Sequence, residues 1–87
     1  MERYIGLAIR AREVIFGLDN IVGCRKKIFV VVIDDTLQES SRHKIEKYCA
    51  DKNIRFFYVT DLESKVKKCG VKVIGVTNKN IAEQIIN

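Results

Sequence analysis

The chain has 87 residues, with sixteen Lys and Arg against eleven Asp and Glu for a net charge of +5, and 47% of its residues are hydrophobic. That length holds one small domain built on one core. The sequence has no Pro, no Gly- or Ser-rich linker and no internal repeat, and no apolar run approaches the ~20 residues that cross a bilayer, which excludes a membrane-spanning chain.

Tyr4, Ile5, Ala8 and Ile9 recur at helical spacing, with Leu7 and Ala11 widening the apolar face, so the chain is expected to open on a helix. Arg3, Arg10 and Arg12 interrupt every apolar stretch there, which argues against a signal peptide and for a soluble, cytoplasmic protein. Val14, Ile15 and Phe16 read as a short strand ended by Gly17. Asp19 or a near neighbour caps a brief helix through Ile21 and Val22, with Gly23 as its C-cap at positive φ.

The unbroken apolar run Ile28 to Ile33, closed by Asp34 and Asp35, reads as a strand buried on both faces, which requires helices on both sides of the sheet. Thr36-Leu37-Gln38-Glu39 has the form of a capping box and opens a long helix reaching about Asp51. Ile54 to Val59 is the third strand. Its Phe56, Phe57 and Tyr58 alternate across a covered sheet and therefore read as core rather than as a base-stacking platform. Thr60-Asp61-Leu62-Glu63 is a second capping box, opening a short helix that Gly70 terminates after Cys69. Val71 to Val76 is the fourth strand, and Thr77, Asn78 and Asn80 offer caps for a last helix that packs Ile81, Ala82, Ile85 and Ile86 inward. The order αβαβαβαβα predicts an α/β fold, a three-layer α/β/α sandwich around a four-stranded sheet. Helical crossovers predict a mostly parallel sheet, without fixing the strand order.

Cys24, Cys49 and Cys69 are odd in number, scattered, without a Cys-x-x-Cys pair, and His43 is the lone imidazole. No metal site is expected, and the cysteines read as buried small hydrophobes in a reducing compartment. Positive charge clusters at Arg25-Lys26-Lys27 and at Lys65, Lys67, Lys68 and Lys72, which favours a polyanion partner. Asp34-Asp35 at a strand end, with Lys72 or Lys79 as the cation, is the pattern of a phospho-acceptor or magnesium-binding pair, as in a receiver-like phosphotransfer domain. Receiver domains carry five βα units, and this chain has room for four. One His builds no Ser/His/Asp or Cys/His nucleophile, and glycine-rich phosphate loops are missing, so neither catalysis nor a cofactor is expected.

Gly6-Leu7-Ala8 and Arg10-Ala11 resemble the opening of small bacterial members of the L-seven-Ae family, named for a large-subunit ribosomal protein. The resemblance continues through the strand ending at Gly17, the apolar strand ending in Asp, the helix containing Cys49, the aromatic strand, and the strand ending Val76-Thr77 before the last helix. It implies an α/β/α sandwich that binds kink-turns in structured or ribosomal RNA, with ribosome association and no DNA specificity. The family's Gly-x-Asn-Glu-x-x-Lys contact motif falls on Gly17, Asp19, Asn20 and Gly23, with Asp and Asn where Asn and Glu are expected and Gly in the place of the Lys. Both short polar side chains retain the chemistry for base-edge hydrogen bonds. The resemblance further implies Arg25, Lys26 and Lys27 as phosphate contacts, and Lys68, Cys69, Gly70 and Val71 as the second RNA loop. The alternative within the same family is a protein-interaction module with weak RNA binding.

Overall fold

The computed structural model describes residues 2–87. The elements are α1 (Glu2–Arg10), β1 (Val14–Phe16), α2 (Leu18–Val22), β2 (Val30–Asp34), α3 (Glu39–Lys52), β3 (Arg55–Val59), α4 (Leu62–Val66), β4 (Val73–Val76) and α5 (Lys79–Ile86). The expected order is present, with β1 starting where expected and the other three strands starting one or two residues later than the apolar runs that announce them. Every residue of β2 is buried. Its side chains divide by the two-residue strand period. Val30 and Val32 join α1, α4 and α5 through Ile5, Ala8, Leu62, Val66, Ile81 and Ile85. Val31 and Ile33 join α2 and α3 through Ile21, Ile45 and Cys49. The sheet thus has a helix layer on each face.

Strand direction departs from the sequence expectation. The sheet order is β1-β4-β2-β3, with β2 and β3 parallel and β4 antiparallel to both β1 and β2. Helix length accounts for the difference. The 14 residues of α3 span about 21 Å at ~1.5 Å per residue, enough to return the chain along the sheet so that β3 runs parallel to β2. The 5 residues of α4 span only about 7.5 Å. The chain leaves α4 at the end of the sheet where it entered, and β4 must start there and run the other way.

Neither expected capping box forms. α3 begins at Glu39 with Gln38 at its N-cap and no side-chain cap, while the Thr36 amide and hydroxyl both donate to Asp34 Oδ2. α4 begins at Leu62 after Asp61 in the left-handed region, also without a local cap, and the Leu62 amide donates to Asp34 Oδ1 at 2.8 Å. One buried carboxylate at the end of β2 therefore fixes the following turn and caps a helix 28 residues away in sequence. The end of α4 also differs: Lys67 at φ 56° is its C-cap, and Gly70 lies beyond, in the loop. Gly23 does follow α2 as a C-cap, but at φ −87°, where any residue fits. Asn78 caps α5 as expected, accepting from the Ile81 amide at 2.9 Å.

Candidate nucleic-acid interface

Because β4 is inserted antiparallel between β1 and β2, its first residue lies beside the last residues of β1. Phe16 pairs with Ile74, and the Gly17 amide donates to the Val73 carbonyl at 2.9 Å. The start of α2 and the loop from Lys67 to Lys72 are thereby held at one end of the sheet. Gly17 sits at φ +91°, a conformation L side chains rarely adopt, and turns the chain from β1 straight into α2. Asn20 Nδ2 donates to the Phe16 carbonyl at 2.8 Å, which ties the exposed Asn20 side chain back over this turn. Asp19 is almost fully exposed, with Lys44 of α3 3.9 Å away.

From the loop side, Lys68 places its Nζ 4.5 Å from the centre of the Phe16 ring, a cation–π contact that couples the loop to β1. Cys69 and Gly70 are exposed and Val71 is buried in the core. Gly70 has φ +84° and open space where a Cβ would stand. Gly17, Asp19, Asn20 and Lys68 to Gly70 are thus brought together. Gly23 lies one turn further along α2. Cys69 corrects the expectation that all three cysteines are buried: Cys49 is buried and Cys24 half-buried.

Arg25, Lys26 and Lys27 are elsewhere. The amide of Phe29 reaches the carbonyl of Val76, the opposite end of β4 from Val73, so the segment before it lies at the far end of the sheet. These three side chains line a separate cavity with Lys52 and Tyr48. They cannot share a compact grip with Lys68. Sequence reasoning missed three residues at the near end: Ser40, Ser41 and Lys44, at the start of α3, line one cavity of about 650 Å³ with Gly17, Asp19 and Asn20. No motif announces them, since they depend on how α3 lies against α2.

The acidic pair at the end of β2 is bonded as a structural hub. Burial pushes the Asp34 carboxyl up, but hydrogen bonds from the Thr36 side chain and from the Leu62 and Thr36 amides, with Lys72 nearby, outweigh it and bring the pKa down to about 2. Lys72 Nζ stands 3.8 Å from Asp34, 3.1 Å from Glu63 and 3.1 Å from Thr36 Oγ1. Asp35 accepts from Thr60 Oγ1 at 2.9 Å. Among the described residues no group of His, Cys, Asp and Glu is arranged to hold a metal ion. Lys79 begins α5, beyond the other end of β4, and does not approach the pair.

The architecture is that of an α/β/α sandwich around a mixed four-stranded sheet. No family model matches the chain, and no curated protein matches it. Among solved structures, a protein of unknown function from Bacillus halodurans C superposes with a TM-score of 0.90 at 21% identity, covering 98% of this chain and 91% of that one. At that identity the likeness is one of fold. No helix among the described residues is long and apolar enough to cross a membrane.

Proposed function

We propose that the chain is a non-catalytic RNA-binding protein of the cytoplasm, of the L-seven-Ae kind, gripping a kink-turn-like RNA between the start of α2 and the loop before β4. The observation that carries the reading is the meeting of two distant segments at one end of the sheet, through the Gly17 to Val73 hydrogen bond and the Lys68 contact with Phe16. Each side brings chemistry that RNA requires. Asp19 and Asn20 offer short, exposed polar groups suited to base edges, and Asn20 is already oriented by its bond to Phe16. Lys68 offers a cation for the backbone, and the open space around Gly70 lets RNA approach the main chain closely.

The receiver-like alternative has less behind it. It takes a parallel sheet, whereas β4 is antiparallel, and of its acidic pair Asp34 is buried with both oxygens engaged, which leaves the exposed Asp35 as its one accessible carboxylate.

The test is a pair of variants on one kinked RNA. Asn20→Ala is expected to weaken binding by about 1–3 kcal/mol with little effect on a straight duplex. Lys68→Ala is expected to weaken binding to both RNAs and to flatten the salt dependence by about one unit. Unchanged kinked-RNA affinity in both variants, with folding intact, contradicts the reading.

A further inference from the structure

At the opposite end of the sheet the loop from Cys24 to Phe29 and the end of α3 line a half-open cavity of about 510 Å³. That volume falls within the ~300–1,000 Å³ range of small-ligand sites. Four cations line it, Arg25, Lys26, Lys27 and Lys52, and no carboxylate does. Among the described residues none of the four makes an ion pair; Lys27 instead lies 5.3 Å from the Phe29 ring centre. A lining that holds cations and no carboxylate favours an anion in the cavity. The cavity also has an aromatic neighbour in the half-buried Tyr48, which packs with α3, whereas the Phe29 ring packs on the other face of the sheet. Cations with a neighbouring aromatic face are the combination that holds a single-stranded nucleotide, phosphate on the charges and base against the ring.

We propose that this cavity is a second RNA site, taking one nucleotide of a single strand, with its phosphate on Arg25, Lys26, Lys27 and Lys52 and its base against Tyr48. It is separate from the kink-turn grip, because the two lie beyond opposite ends of β4. The choice of RNA over other phosphate-bearing ligands rests on the proposed function; the cation cluster and the cavity do not. The site lets one protein hold a structured element and an adjacent single strand at once.

The experiment follows a fluorescent single-stranded oligouridylate binding to the full chain, alone and with saturating unlabelled kink-turn RNA. The oligouridylate is expected to bind in both conditions. Lys26→Glu/Lys52→Glu, both exposed positions, is expected to weaken it at least about tenfold while kink-turn affinity stays within about twofold. Tyr48→Leu keeps an apolar body against the core, and is expected to weaken the oligouridylate at unchanged melting temperature. Displacement of the oligouridylate by kink-turn RNA, or indifference to the double substitution, overturns the proposal. Displacement by uridine monophosphate at equal concentration also overturns it, in favour of a free-nucleotide site. Oligouridylate binding that persists and depends on Lys26 and Lys52, in a protein that does not prefer kinked to straight RNA, refutes the proposed function and leaves this second site standing.

Discussion

At Asp34 a carboxylate that is 2% exposed organises three segments: its own strand, the turn at Thr36 and the start of α4. Its folded pKa of about 2 lies below the 3.8 of an unperturbed group. The unfolded chain therefore binds the proton more readily, so stability is fully present above about pH 4 and is lost as pH falls toward about 2. At ~1.4 kcal/mol per pKa unit the contribution is about 2 kcal/mol. Urea unfolding across that window is expected to show this acid limb in the wild type and to lose it in Asp34→Asn, which is also expected to be about 1–3 kcal/mol less stable at neutral pH. Parallel limbs in the two proteins contradict the assignment. Gly23 gives a second test at this scale. Its φ of −87° removes the strain that a C-cap glycine at positive φ would impose on a side chain, but a Cβ there stands 3.3 Å from the Asp19 carbonyl, tight enough that the carbonyl must shift slightly. Gly23→Lys is expected to lower the melting temperature only slightly and to tighten kinked-RNA binding by about 0.5–1.5 kcal/mol, by placing an ammonium where the motif of the resembled family has one. A stable variant with no gain in affinity means that the end of α2 faces away from the RNA.

At the scale of elements, what could be read from the sequence followed what is local. Hydrophobic patterning identified the strands and the longer helices, because Ile5 with Ala8, or Val30 through Ile33, carries its pattern in neighbouring residues, while the short α2 and α4 were read from cap residues and glycines. The helix starts after β2 and β3 were misread because Thr36 and Thr60 gave their hydroxyls to carboxylates at the end of β2 instead of to helix amides. That choice depends on Asp34 and Asp35 being placed by the sheet. The loop after α4 was assigned to the RNA side by resemblance, and its geometry supplies an internal reporter. Cys69 is exposed, whereas Cys49 is buried and its thiol is pushed up to about 11 by burial and then by Glu46. Alkylation under native conditions is expected to be fast at Cys69 and negligible at Cys49. Kinked RNA is expected to slow the Cys69 reaction several-fold and a straight duplex to leave it almost unchanged. Peptide mapping by mass spectrometry reads both rates, and equal Cys69 rates with and without kinked RNA would remove the loop from the interface.

For the molecule as a whole, the site was only half legible because it is a product of topology. Lys68 and Phe16 are far apart in the chain and meet only because β4 enters antiparallel beside β1. The residue types gave no indication of that direction; the brevity of α4 did, since a helix of 5 residues cannot carry the chain back across the sheet. The same topology sends Arg25 to Lys27 to the opposite end, and so divides the positive charge of a molecule measuring 29 × 25 × 22 Å between two surfaces. A protein relying on charge alone would bind any RNA of equal length equally well. Whether the start of α2 and the loop before β4 together recognise RNA shape is read from the ratio of wild-type affinities for a kink-turn RNA and a straight duplex of equal length at one fixed salt concentration. The kink-turn is expected to bind at least about a hundredfold tighter, the equivalent of roughly 2.7 kcal/mol. Equal affinities, falling together as salt is raised, would contradict it.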